Sequence, residues 1–502
     1  MNYRLVTKYL GHFSFAIGLL MLPSALWAVL YREWGGLTAL LGGTGVSFLT
    51  GYLLTLAGRN APAEFHQREG LGLVGLSWIL LAGLGGLPYL FGGVFSNPVD
   101  AYFECMSGFT TTGSTVMTAA CFATTPKCIM FWRSFTHWLG GMGIVVLFIA
   151  VLPYLGAGGK QLFKSESPGP DPRGLKPRIK DTASILYKIY FGFTIAQTAA
   201  LMLCGMSLFD ALCHTFATLG TGGFSTQAAS IGAYDSVAIE MVLTFFMICA
   251  GSNFALHFAL FTGNWRALLR DTEWLVYLAI LGACTLAITV NLMGAEGSFP
   301  VGDSPLPPQE KVFFPSAGEA LRHASFNVAS VMTTTGFCTV DFNIWPNFSR
   351  ILLVTLMFVG GCAGSTSGGL KVARVLILLK MAYARLEQTF RPKMVRVVRI
   401  SGHVVDEGVQ RTACSFFVLY LMWFMAGSLF MSLLGLPFQT AVTSVATTLN
   451  NTGPGLGAIG AVENFSQLPT AGKAFLSLCM VLGRLELFSI MVLFVPSFWR
   501  RA

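Results

Sequence analysis

One dipeptide recurs four times along the 502-residue chain, at Thr112-Gly113, Thr221-Gly222, Thr335-Gly336 and Thr452-Gly453. From glycine to glycine the spacings are 109, 114 and 117 residues, a period that signals an internal structural repeat. Each copy closes a short half-apolar run, about 99–111, 210–220, 322–334 and 440–451, between two longer apolar segments. A run of that length cannot cross a hydrocarbon layer of about 30 Å, which takes about 20 helical residues. It has to enter and leave on one side, as a re-entrant half-helix, and irregular backbone at that depth is tolerated only where protein buries it or water lines it. Four such turns gathered at one axis satisfy that condition.

Composition decides that the longer segments are spans. With 54% hydrophobic and 11% charged residues and a mean hydropathy of +0.65, the chain is an integral membrane protein, not a soluble multidomain one. Ten spans are expected, at about 10–30, 36–57, 71–94, 130–155, 183–207, 236–262, 273–293, 348–380, 412–435 and 471–498. Arg4 and Lys8 precede the first, which is long enough to span and so reads as an uncleaved helix, not a signal peptide. The net charge of +9 is unevenly distributed. Most of the Lys and Arg fall in segments on one side, among them Lys160, Lys164, Arg173, Lys176, Arg178, Lys180, Arg391, Lys393, Arg396 and Arg399. The positive-inside rule makes that side, with both termini, cytoplasmic, so the basic surplus indicates topology and no nucleic-acid partner. Eleven scattered cysteines without a CxxC pair read as small buried apolar residues. The proline-rich stretch 156–182 is expected as a cytoplasmic linker, and 294–317 as an outer loop.

The expected fold is an all-α membrane protein with four span/half-helix/turn/span repeats in pseudo-fourfold order around one pore, after two additional N-terminal spans. Its units are 1–70 (two extra helices), 71–182, 183–272, 273–411 and 412–502.

The four turns read Thr110-Thr111-Thr112-Gly113-Ser114, Leu219-Gly220-Thr221-Gly222-Gly223-Phe224, Thr333-Thr334-Thr335-Gly336-Phe337 and Asn450-Asn451-Thr452-Gly453-Pro454. A potassium filter replaces the ion's hydration shell with rings of backbone carbonyls. Successive carbonyls point the same way only if the backbone visits positive φ, which glycine does without steric cost. The half-helices add the negative ends of their dipoles. A single Thr-Gly is more often an ordinary helix C-cap, but four at even spacing are not. The candidate ion-binding residues are therefore Thr111, Thr112, Gly113, Gly220, Thr221, Gly222, Thr334, Thr335, Gly336, Asn451, Thr452 and Gly453.

A second feature interrupts the eighth span. Gly360, Gly361, Gly364, Gly368 and Gly369 place five glycines in ten residues around Ser365 and Thr366, each costing a helix about 1 kcal/mol. A close helix crossing at Gly360, Gly364 and Gly368 would also fit, but an unwound loop beneath the turns fits better. Arg484 lies mid-span, where a charge faces a water-filled path or a partner. Glu486, two residues on, would not face it on a helix. Asp100, Glu104 and Asp210 either concentrate cations at the outer mouth or, for the two aspartates, cap half-helices. His137, His214 and His257 share no spacing and read as packed, hydrogen-bonded residues, and Trp132 and Trp138 as packing or interface aromatics.

These motifs resemble the Trk/Ktr/HKT superfamily of potassium transporters. The likeness covers nearly the whole chain and includes Thr110 to Ser114, Phe131-Trp132-Arg133-Ser134 through Trp138-Leu139-Gly140-Gly141-Met142-Gly143, Ser330 to Phe337, and Asn450 to Gly455. The two spans before the first repeat are similar to the bacterial Trk branch and unlike the shorter Ktr subunit. The resemblance implies that Gly113, Gly222, Gly336 and Gly453 are filter glycines, favouring potassium over sodium because none is serine. It also implies that 360–369 is an intramembrane gate opposed by Arg484, acting as an electrostatic obstacle to cations. The implied assembly is a homodimer in the bacterial inner (plasma) membrane, with a TrkA-type nucleotide-binding regulatory ring on its cytoplasmic face. No cofactor is expected in this chain, and potassium is the substrate. Alternatives within transport are the potassium-binding subunit of an ATP-driven pump and a sodium- or proton-coupled cation symporter. An embedded enzyme would need convergent Ser/His/Asp or metal-ligand groups, which the scattered histidines do not supply, so no enzymatic activity is expected.

Overall fold

A computed structural model describes residues 1–61, 67–143, 179–293, 314, 316–394 and 396–499. The second half of the fourth expected span, Lys160, Lys164, Arg173, Lys176 and Arg178 of the linker, and most of the 294–317 loop lie outside the described residues.

The described chain is helical apart from a small antiparallel ribbon, Arg399–Ile400 with His403–Val404. Six helices are long and apolar enough to span: Tyr3–Leu30, Trp34–Ala57, Arg68–Phe91, Ser184–Leu203, Thr272–Met293 and Glu407–Leu433. They present Leu19, Leu26, Leu53, Leu203, Leu286 and Leu429 outward, a surface suited to lipid and not to water. The first two pack through small residues. A side chain on Gly11 would press on the Gly51 carbonyl oxygen at 2.8 Å, and one on Gly51 on that of Gly11 at 2.9 Å.

Three further expected spans are broken. Val237–Ala250 turns by 101° into Phe254–Phe261, and Thr470–Arg484 by 119° into Phe488–Phe494. The segment expected as one span over 348–380 is two helices, Asn347–Phe358 and Val372–Phe390, with an extended loop between them, which excludes a helix crossing at its glycines.

Four short helices lie between these elements: Pro98–Phe109, Leu208–Leu219, Ala317–Met332 and Phe438–Asn450. Their starts follow from local chemistry. Asn97 accepts from the Val99 amide ahead of Pro98, and Ser207 from that of Asp210. Ser316 accepts from Glu319 N–H in a Ser-x-x-Glu pattern, so the third helix begins at 317 and not near 322. Their inner faces are fully buried, as at Phe103, Ala217, Val328 and Val445. All eleven cysteines are free and none is exposed.

Candidate functional site

Each short helix ends in the same way. The next residues have left-handed backbone at Thr111 (φ +53°), Thr221 (+54°), Thr334 (+56°) and Asn451 (+53°), and two positions later come Gly113 (+84°), Gly223 (+73°), Gly336 (+87°) and Gly453 (+98°). Between them one amide in each turn reaches five residues back: Thr112 to Ser107 O (2.9 Å), Gly222 to Ala217 O (2.8 Å), Thr335 to Ser330 O (2.8 Å) and Thr452 to Thr447 O (2.9 Å). This corrects the register of the second turn. Gly222 stands where the other turns have threonine, and Gly223 is the equivalent of Gly113, Gly336 and Gly453. The recurring dipeptide misleads there because Thr221-Gly222-Gly223 offers two glycines, and only the positive φ of Gly223, two residues after the left-handed Thr221, separates them.

The four turns form a closed ring. A side-chain carbon on Gly113 would overlap the carbonyl oxygen of Gly222, one on Gly223 that of Thr335, one on Gly336 that of Thr452, and one on Gly453 would lie 3.0 Å from that of Thr112. Each glycine therefore abuts the carbonyl before the next glycine, in the order first, second, third, fourth, first. An L-residue is disfavoured there twice, by the contact, which is mildest at Gly453, and by φ. Thr111, Thr112, Thr221, Thr334, Thr335, Asn451 and Thr452 are wholly buried. Their side chains brace the ring: Thr110 and Thr112 hydroxyls meet at 2.8 Å, as do Thr333 and Thr335, and Asn451 Nδ2 donates to Thr112 Oγ1 at 2.9 Å. Gly220, the cap of the second helix, is packed on the His137 carbonyl instead of on the ring.

Outside the ring a cavity of about 270 Å³ is lined by Gly113, Gly223, Gly336 and Gly453. The three acids expected at this mouth are engaged elsewhere. Asp100 pairs with Lys473 at 2.6 Å. Glu104 pairs with Arg133 at 2.7 Å and accepts from Val116 N–H and Thr115 Oγ1, both at 2.8 Å. Asp210 accepts from Thr226 Oγ1 at 2.7 Å, and neither aspartate supplies the helix cap. The carboxylate that does line the cavity is Glu463, a single loop residue with no pattern to reveal it. His214 bonds Asp210 O and Ser225 Oγ, and His257 bonds Ser252 Oγ and Cys249 O. Trp132 and Trp138 donate to Gly85 O and Thr194 Oγ1, as packed aromatics do.

Beneath the ring hangs the loop 359–371. Thr366 O accepts from Thr221 Oγ1 (2.9 Å) and from Arg484 Nη1 (2.7 Å), while Gly368 N–H donates to Thr334 Oγ1 (2.7 Å). Arg484 also donates to the carbonyls of Gly140 and Gly141. Glu486 pairs with Arg374. Gly364 and Gly369 take positive φ, Gly360 N–H bonds Leu370 O, and Gly361 is packed on the Gly251 carbonyl. Ser365 Oγ bonds Cys362 O at 2.6 Å. Glu273 Oε1 accepts from Ala363 N–H (2.7 Å) and Ala373 N–H (3.0 Å), and the buried Lys371 ammonium donates to Ser367 O. Glu273 went unnoticed in the sequence, since it acts ninety residues away in the chain. Below the loop a further cavity is lined by Thr366, Gly368, Lys371, Arg484 and Glu486. Among the described residues no group of three or more His, Cys, Asp or Glu could hold a metal ion.

Comparison with known proteins places this geometry in a family. The model of the TrkH family, described as cation transport protein, matches residues 44–501. The Trk system potassium uptake protein TrkH of Halomonas elongata is 37% identical over 514 residues, and that of Escherichia coli K12 is 36% identical over 507, each covering 100% of both chains. The solved potassium transporter TrkH of Vibrio parahaemolyticus superposes with a TM-score of 0.85 at 34% identity, again over 100% of both chains. The chain belongs to the TrkH family of cation transport proteins.

Proposed function

We propose that the chain takes potassium ions into the cell across the bacterial inner membrane, through one pore whose four turns select the ion and whose 359–371 loop opens and closes the path. The closed ring of glycine-to-carbonyl contacts supports this reading most directly. Carbonyls of Thr112, Gly222, Thr335 and Thr452 form one layer around an axis, suited to replacing the hydration shell of a monovalent cation. The helix ends behind them direct negative dipole charge, about half an elementary charge each, at the same place. Gly113, Gly223, Gly336 and Gly453 are the filter glycines, with Thr111, Thr112, Thr221, Gly222, Thr334, Thr335, Asn451 and Thr452 completing the strands. The units 71–182, 183–272, 273–411 and 412–502 are the repeats that supply them, behind the two extra helices of 1–70.

Gly360, Gly361, Gly364, Ser365, Thr366, Gly368 and Gly369 form the gate. Arg484 holds it through Thr366 O and sets a positive charge in the path of the cation. Both termini face the cytoplasm, where a TrkA-type nucleotide-binding ring would act on a homodimer. Among the described residues, Arg391, Lys393, Arg396 and Arg399 are exposed basic residues suited to that contact. The relatives are named as uptake proteins of the Trk system, which favours this reading over a subunit of an ATP-driven pump. Rubidium flux into proteoliposomes containing the purified chain, with and without an imposed potential or proton gradient, tests it. Potential-driven flux that is blocked by potassium and not by sodium is expected, and flux indifferent to both ions would overturn it.

A further inference from the structure

The second turn departs from its three counterparts at two positions, Gly220 and Gly222, and the latter bears on the ring. Where Thr112, Thr335 and Thr452 fill the space behind the ring with fully buried side chains, the second turn has Gly222 and leaves that space without one of its own. The space is nevertheless filled. The three atoms nearest to a side-chain carbon built on Gly222 are Nδ1, Cε1 and Cγ of the His137 imidazole. His137 is wholly buried on the helix Lys127–Gly141, and its Nδ1 faces the Phe224 amide at 3.5 Å, on the far side of Gly223. Its ring stacks on Phe224 at 4.0 Å and 20°. The Arg133 guanidinium lies 3.5 Å from the centre of the same phenylalanine ring. Two groups that close to one ring centre must take opposite faces. Phe224 is thus clamped between Arg133 and His137, four residues apart on one helix, and Arg133 is itself fixed by Glu104 and by Ser225 O at 3.0 Å.

We infer that His137 is a positioning residue of the ion-selecting ring, standing in for the missing threonine of the second turn and holding the Gly222 carbonyl in the layer made by Thr112, Thr335 and Thr452. This rests on the reading of the four turns as a filter. Gly113 leans on the Gly222 carbonyl, so a second strand that sags outward would release the first as well. Removing the imidazole opens a void behind a strand whose native contacts leave no slack, and cores transmit such changes because they are close-packed. Adding a side chain at 222 with the imidazole in place forces the strand into the pore.

The inference predicts mutual compensation. Potassium-to-sodium permeability ratios would be measured in proteoliposomes for the full chain and its variants H137A, G222T, H137A/G222T and G113S. H137A and G222T should each lower the ratio about tenfold, and the double variant, with a threonine in the vacated space, should return to within about threefold of the parent chain, as contacting residues couple. If a single variant does not accumulate as folded protein, recovery of folded protein by the double variant supports the inference, and failure to recover contradicts it. A double variant no better than the worse single one overturns the role of His137. G113S separates the two levels: a lowered ratio there with no effect of H137A leaves the filter reading intact and makes His137 ordinary packing, whereas an unchanged ratio in G113S removes the filter reading itself.

Discussion

The ring of turns and the loop beneath it are both irregular, glycine-rich backbone at membrane depth, and they differ in what ties them down. In the ring, each turn is tied to its own helix by a backbone bond five residues long, and each glycine is wedged against the next turn's carbonyl. The loop is tied to other segments, by backbone bonds to the 250–254 break, Cys362 N–H to Gly251 O (2.8 Å) and Phe254 N–H to Gly364 O (3.1 Å), and by bonds from Thr221, Thr334, Glu273 and Arg484 that single rotamer changes would break. Side-chain anchors of this kind can be released one at a time, which the mutually wedged turns of the ring cannot. The difference suits a fixed selector above a movable barrier.

The largest effect expected from breaking this contrast is in the ring. Gly223→Ala brings a methyl onto the Thr335 carbonyl at a φ of +73°, and rubidium flux should fall by about 100-fold or more, as expected when strain and overlap of several kcal/mol coincide. In the loop, Arg484→Ala should instead raise flux measured without a cytoplasmic partner, by about tenfold, because a charge-assisted bond to Thr366 O is worth about 1.5–3 kcal/mol. A fall in flux with the protein still folded would erase the distinction between the two regions. Glu273→Gln keeps one acceptor for the Ala363 and Ala373 amides but removes its charge, so basal flux should rise only about threefold. Smallest is Glu463→Gln in the outer cavity. It should weaken apparent affinity for rubidium about twofold at low ionic strength and not at all near 1 M salt, where the screening length is about 3 Å.

The repeat itself was legible because a period survives divergence of everything between its marks. Membrane class and the break at 360–369 were legible for similar reasons, through hydropathy and through glycines that a helix does not tolerate. The register of the second turn was not, since Gly222 and Gly223 are chemically identical in a string and differ only in φ. The fates of Asp100 and Glu104 were hidden because Lys473 and Arg133 lie far along the chain or one helix away. A carboxylate near an expected mouth looks the same whether it faces an ion or a buried guanidinium. His137 was read as packing, and its contact with Gly222 spans 85 residues that no local pattern connects.

Selection by the ring is tested most directly by the potassium-to-sodium permeability ratio of Gly113→Ser, measured under bi-ionic conditions beside the parent chain. Serine at a φ of +84° against the Gly222 carbonyl must displace the layer of oxygens, and the ratio should fall in the reduced flux that remains. A ratio unchanged in folded, conducting Gly113→Ser protein would contradict selection by the ring.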